Sequence, residues 1–194
     1  MYKERSYAAH NGLVILLTLI VASGVSILFA VRNFQTPGGD LVGLAFILVA
    51  GLALFLMAGL FIVHPNEAKA LVLFGTYKGT VRTDGFWWAN PFLTKEAISL
   101  RVRNFETAKL KVNDNHSNPI EIAAIVVWKV IDSAEALFEV DDYSRYVEVQ
   151  SESALRGVAV HYPYDSHTPG ELSLSQNTNE VSEALEKALV DRLK

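Results

Sequence analysis

Apolar positions are spread unevenly along the chain. Leu13–Val31 (LVILLTLIVASGVSILFAV) and Leu41–Val63 (LVGLAFILVAGLALFLMAGLFIV) contain no charged residue. Each is near the ~20 residues that a helix needs to cross the hydrocarbon core of a bilayer. Two such runs in succession argue against a buried helix of a soluble protein. A signal peptide is the alternative for the first run, because Lys3 and Arg5 precede it. The run is long for the apolar part of such a peptide, and no small-residue cleavage site follows it. Residues 32–40 (RNFQTPGGD) carry the turn chemistry of Pro37, Gly38 and Gly39. So short a loop cannot recross, so the two spans predict an antiparallel hairpin with both chain ends on one side. Ala22, Ser26 and Ala30 recur every four residues. Small residues at that spacing let helix backbones approach closely, either against the second span of the same chain, the preferred reading, or against another protomer. Neither span holds an ionisable residue, which weighs against an ion pathway or a transporter.

After His64 the period changes. Pro65 ends or follows the second span. Ala68–Phe74 predicts a strand stopped by Gly75, and Tyr77–Arg82 its hairpin partner, with Asp84-Gly85 as the next turn. Ser99–Phe105 and Ala108–Val112 alternate apolar and basic positions, and Asn113–Asn118 is a loop by composition. Pro119–Ile131 predicts one long strand. Its second face is apolar in the middle, so the strand is expected to be central and covered on both sides. Ser133–Phe138 predicts a short helix, and Asp142 caps a longer one from Tyr143 to about Val160, with Tyr146, Val149 or Gln150, Ser153 or Ala154, and Gly157 or Val158 as its recurring positions. Asn177 with Glu180 resembles a capping box for a last helix whose face carries Val181, Leu185, Ala188 or Leu189, and Leu193 or Arg192. No stop signal follows that helix, so it either frays or leads into a coiled-coil arm. Strands followed by helices give an α+β domain. The expected division is a segment at 1–12, spans at 13–31 and 41–63, the loop at 32–40, and a soluble domain at 64–194 ending in a helix from about 177.

Composition changes this picture little. The chain has 194 residues, 51% of them hydrophobic, and a formal charge of −4 without a basic stripe, which excludes nucleic acid as the expected partner. The absence of cysteine excludes disulfides, thiolate metal sites and a cysteine nucleophile. Lys3, Arg5, Lys69, Lys78 and Arg82 lie on the common side of the hairpin, against Arg32 alone in the loop. That bias places both termini and the domain in the cytoplasm, with the loop opposite. Catalytic motifs are missing: there is no Gly-x-Ser-x-Gly, phosphate-binding loop or His-Glu-x-x-His. His161, Asp165 and His167 could converge on a metal, but their spacing fits no zinc pattern, and exposed loop histidines are the simpler reading. Ser151 and Ser153 lie near Arg156 without a base on the same helix. Asn115-His116-Ser117 fits a glycosylation triplet that would be inert in the cytoplasm.

The stretch HPNEAKALVLFGTYKGTVRTDGFWWANPF resembles the opening of the SPFH domain, also called band 7 or the prohibitin-homology domain, of stomatin, prohibitin and flotillin. Pro65-Asn66-Glu67, Phe74-Gly75 and Gly85 to Phe92 match its opening segments in order. Residues 112–158 are similar to its central block, with Val130-Ile131-Asp132 and Leu155-Arg156 at the expected places. Three features depart from the family pattern: Asp84-Gly85 stands where Pro-Gly is frequent, the long coiled-coil arm is missing, and a two-helix hairpin stands where one anchor is more usual. The resemblance implies a non-enzymatic scaffold without cofactor, metal or catalytic residues. Such a protein forms a large membrane-bound homo-oligomeric ring or cage, organises a lipid microdomain and regulates enclosed membrane proteases or channels. The expected location is a bacterial inner or plasma membrane. A low-stoichiometry adaptor of one protease or channel, and a membrane-anchored hydrolase, are the competing readings.

Two adjacent tryptophans in Asp84–Phe92 (DGFWWANPF) sharpen the question of contact. On a strand, Phe86 and Trp88 point one way and Trp87 the other. One face is expected in the domain core and the other at the membrane surface or a subunit contact, against the alternative that all the rings lie in the core. Phe86, Trp87, Trp88 and Phe92 are therefore the candidate contact residues.

Overall fold

The computed structural model describes residues 3–166 and 172–193. The fold is α+β: two apolar helices followed by a domain of short antiparallel sheets and helices. The chain divides into two compact units. Residues up to Arg101, with Val130–Glu135, form the first, and Val102–Lys129 with Ala136 onward form the second.

In the first unit a two-residue strand, β1 (His10–Asn11), leads into α1 (Gly12–Phe34), and α2 is Asp40–Met57. At ~1.5 Å per residue these helices run about 34 and 27 Å, the scale of a hydrocarbon core. They pack through small residues: Ser23, Ser26 and Ala30 of α1 and Gly43, Ala50 and Ala53 of α2 are buried, and Phe29 stacks on Phe46 at 5.4 Å. Ser26 and Ala30 thus serve the intrachain contact, with Ser23 rather than Ala22 completing the stripe. The remaining surface of the pair is large and apolar, from Leu13 through Phe55.

The second apolar run is not one helix to Val63. It turns at Ala58 and Gly59, and Leu60–Val63 becomes strand β2. A residue set apolar enough for a span is equally apt for a buried strand, and pairing decides between them. β3 (Glu67–Leu73), β4 (Thr76–Val81), β5 (Gly85–Trp88) and β6 (Leu93–Ser99) follow. One sheet has the order β4-β3-β6 and the other β1-β5-β2. Between them lie Phe61, Val63, Leu71, Val81, Ala89 and Leu93, flanked by Tyr7, Ala9, Leu73 and Trp87.

The segment before the helices belongs to this unit. The Tyr7 amide donates to the Thr80 carbonyl at 3.0 Å and the Thr80 amide to the Arg5 carbonyl at 2.7 Å, so residues 5–7 cover the free edge of β4. Glu4 anchors the segment further in: its carboxylate accepts from the Ser133 amide (2.9 Å) and hydroxyl (2.8 Å) and pairs with Arg82 Nε at 3.0 Å. Asp132 caps the helix α3 (Ser133–Phe138), accepting from the Ala134 and Glu135 amides, and its other oxygen accepts from the Glu4 amide.

In the second unit the expected long strand is two short ones. β7 (Arg103–Glu106) pairs with β10 (Ile125–Trp128), and β8 (Leu110–Asn113) with β9 (Pro119–Ile122). The break falls at Ala123–Ala124, where Thr107 bonds both backbone groups of Ala124. The alternation of faces survives, but neither piece is central: Ile125 and Val127 are 71% and 65% exposed. Ser99–Phe105 is likewise interrupted, β6 ending at Ser99 and β7 beginning at Arg103. Helix α4 (Tyr143–His161) starts at Asp142, whose carboxylate accepts from the Ser144 and Arg145 amides. Its buried stripe is Val147, Ser151, Ala154, Leu155, Val158 and Ala159, so Tyr146 and Val149 lie outside it. The last helix, α5 (Thr178–Arg192), packs on α4. Asn177 precedes α5 without capping it; its side chain accepts from the Ser173 amide instead.

Asp114 fixes the turn between β8 and β9. Its oxygens accept from the His116, Asn118 and Tyr164 amides and from the Asn118 side chain. Those bonds, led by that from Tyr164, lower its pKa to about 2. A carboxyl depressed from its ordinary value near 4 stabilises the fold above that value, and the contribution is lost as pH falls toward 2. Asp114→Asn should therefore lie below the parent protein in denaturant midpoint at pH 7, with the gap closing between pH 4 and pH 2. A gap independent of pH would show that the carboxylate charge is not what these amides hold.

Candidate functional site at the foot of the helix pair

Strand β5 is where both helices are rooted. His10 and Asn11 pair with Trp88 and Trp87 along one edge, and Leu60–Val63 pairs with Trp88–Gly85 along the other. The strand that enters α1 and the strand that leaves α2 therefore both flank Trp87 and Trp88. Asn11 also caps α1, its side-chain oxygen accepting from the Leu13 and Val14 amides.

The pleat of β5 separates its rings as expected. Trp87 packs against the core between the sheets, and its indole N–H donates to the Thr83 carbonyl at 2.9 Å. Phe86 and Trp88 point toward the helix ends. A Cβ on Gly12 would lie 2.9 Å from the Phe86 ring, and one on Gly59 only 2.6 Å from the Trp88 indole nitrogen and 2.2 Å from the Ala89 carbonyl. Both positions need glycine for room. All three rings are half-buried.

The end of α2 is completed by the domain. The last carbonyls of a helix have no partner within it, and in a bilayer an unmet carbonyl costs several kcal/mol. Here the Leu56 carbonyl accepts from the Gly59 amide at 3.1 Å and from Trp88 Nε1 at 2.8 Å, and the Ala58 carbonyl accepts from Lys95 Nζ at 3.1 Å. The Ala89 amide takes the Gly59 carbonyl at 3.0 Å. Lys95 also lies 5.9 Å from the Phe61 ring centre. Partial burial, followed by the charge of Lys69, lowers the Lys95 pKa from the ordinary lysine value.

Beyond Lys95 a chain of exposed rings continues the apolar surface of α2. Phe55, in its last turn, lies 5.4 Å from Phe92, which lies 6.1 Å from Phe74. Phe92 is 57% exposed and Phe74 83%. Phe74 and Gly75 form the two-residue turn between β3 and β4, with φ of 47° and 81°. Both values suit a type I′ turn, but a bulky residue seldom adopts the first. The strain holds an aromatic ring outward at a hairpin tip.

Of the candidate contacts, Phe86, Trp87 and Trp88 lie together on β5, whereas Phe92 belongs to the exposed aromatic chain. Sequence reasoning missed Glu4, His10, Asn11, Phe74 as a contact, and Lys95. Only Phe74 had a local signal beside it, Gly75, the expected stop of the strand. The other sites considered are differently occupied. Ser151 donates to the Val147 carbonyl within α4, Ser153 accepts from Arg192, and Arg156 is exposed. His161 Nδ1 is 2.7 Å from the Gly157 carbonyl, and Asp165 accepts from Gln176. His167 lies outside the described residues.

A family model described as SPFH domain / Band 7 family matches residues 61–194. The chain belongs to the SPFH family. The match opens at Phe61, within β2, so the family's domain begins on the strand that leaves α2. SPFH proteins are membrane-associated scaffolds and regulators, generally non-enzymatic. Both apolar helices are long and apolar enough to cross a membrane, with mean hydropathies of 2.7 and 2.5. No curated protein matches the chain.

Proposed function

We propose that this SPFH protein is a non-enzymatic, membrane-anchored scaffold. The α1–α2 pair crosses the bilayer as a hairpin, and neighbouring domains assemble into a homo-oligomeric ring or cage. The ring bounds a membrane patch and controls access to enclosed proteins such as proteases. The observation that carries the reading is the rooting of both helices on β5. A domain joined to its anchor by paired strands has a fixed attitude to the membrane, which lateral assembly requires. Phe86, Trp88 and Phe92 are its contacts at the membrane boundary, and Trp87 serves the core. Electron microscopy of the full-length protein in native membranes tests the assembly. Closed rings or cages are the expected result; particles of one or two subunits would replace this reading with that of a small-stoichiometry adaptor.

The proposed topology places both termini and the domain in the cytoplasm. The basic residues favour it. The pairing of residues 5–11 with β4 and β5 adds support, because a segment bonded to the domain shares its side of the membrane. Gln35→Cys puts a single thiol in the exposed loop between α1 and α2. An impermeant maleimide should label it from outside the cytoplasm and leave it unlabelled from within; the opposite pattern would invert the topology.

A further inference from the structure

We infer that the foot of α2 is a binding site for the headgroup of an anionic phospholipid, with Lys95 receiving the phosphate and Phe74 and Phe92 seated at the acyl boundary. This rests on the membrane reading above and names the lipid class that the anchored domain selects.

Three features converge on it. The first is position: Lys95 reaches the Ala58 carbonyl, which fixes its ammonium at the turn where α2 ends. An apolar helix ends at the headgroup layer, so the charge stands at the depth of lipid phosphates. The second is charge. An ammonium has three donors; one is spent on Ala58, and Lys95 has no carboxylate partner among the described residues, whereas Lys69 has Glu67 at 3.9 Å. Partial burial first, and then the charge of Lys69, lowers its pKa, so the ammonium has a cation and no carboxylate beside it. The third is the aromatic chain. Phe55 is on the outer surface of α2, so Phe92 and Phe74 extend a face that lipid already covers. In water, an 83%-exposed ring held at positive φ gains nothing from its strain. At the acyl boundary it buries apolar area. A zwitterionic headgroup would present its own cation beside Lys95, so the site favours a headgroup with net negative charge.

The full-length protein, reconstituted in phosphatidylcholine vesicles, is titrated with brominated phosphatidylglycerol or brominated phosphatidylcholine as guest, and tryptophan quenching is read. Trp88 lies beside the site and reports contact. One surface lysine supports about a fivefold preference for the anionic guest. Lys95→Gln, which keeps a donor for Ala58, should abolish that preference, and Lys95→Arg should retain it. Lys78→Gln, an exposed lysine of β4, should leave it unchanged. The paired replacement Phe74→Ser and Phe92→Ser should reduce quenching by both guests. Equal quenching of the parent protein by the two lipids overturns the site, as does a loss in Lys78→Gln equal to that in Lys95→Gln. Suppression of the preference by soluble glycerol phosphate at constant ionic strength would identify a small phosphate ligand and overturn the lipid. Absence of quenching by either guest would remove the membrane reading itself.

Discussion

Trp88→Ala should lower the stability of the folded chain in detergent by about 3 kcal/mol, near the lower end of the range for removing a packed tryptophan because the ring is half-buried. Two losses combine. The ring no longer covers Gly59 and the T-shaped contact with His10, at 6.1 Å, disappears. The Leu56 carbonyl also loses its 2.8 Å donor at the point where α2 leaves the bilayer. Trp88→Phe separates these effects: it keeps most of the packing and removes only the N–H, at a cost of about 1 kcal/mol. Denaturant titration of the detergent-solubilised protein, followed by near-ultraviolet circular dichroism, measures both. If Trp88→Ala unfolds within 1 kcal/mol of the parent protein, β5 is not the root of the helix pair.

Glu4→Ala is the second large effect, about 2–3 kcal/mol, the scale of hydrogen bonds to a charged group whose buried partners are left unmet. Ser133 is fully buried; Glu4 is the acceptor for its amide and the nearer acceptor for its hydroxyl, which also reaches Thr80 Oγ1 at 3.3 Å. Arg82 loses its ion pair at the same time, but that guanidinium is largely exposed and the pair adds little. The consequence should be local before it is global. Hydrogen exchange at the Tyr7 amide, which donates to Thr80, should quicken more than exchange within β3. Glu4→Gln keeps an acceptor for Ser133 and should recover more than half of the loss. Unchanged exchange in residues 5–11 of Glu4→Ala would show that the edge pairing with β4 alone holds the segment.

These two residues differ in how visible they were. Trp88 stood out because two adjacent tryptophans on one strand require cover on both faces, and the pleat then assigned Phe86 and Trp88 to one side. Glu4 gave no signal. Its partners Arg82 and Ser133 are far away in sequence, and a four-residue stretch before an apolar run has no period to read. Lys95 was equally silent, because a lysine on an alternating strand has the pattern of any solvent-facing position. Its role exists only because β6 passes the end of α2. Asp142 is the opposite case: a cap acts within three residues, so its bonds to Ser144 and Arg145 follow from local sequence.

What the sequence determined by itself is therefore whatever acts over a few residues or through composition. The two apolar helices, the strand stop at Gly75, the cap at Asp142, the alternation of faces along 119–131 and the SPFH resemblance all belong here. Tertiary structure decided whatever depends on a distant partner. Leu60–Val63 is apolar enough to continue α2, and pairing with Trp88–Gly85 makes it a strand instead. The alternation along 119–131 states which face each residue takes but not which strand lies beside it, so the break at Ala123–Ala124 and the separate partners β8 and β7 were invisible. The same holds for the foot of the helix pair: its carbonyls, lysine and aromatic rings meet only after residues 10–11, 55–63 and 85–95 fold together, because side-chain contact depends on separation in space and not along the chain.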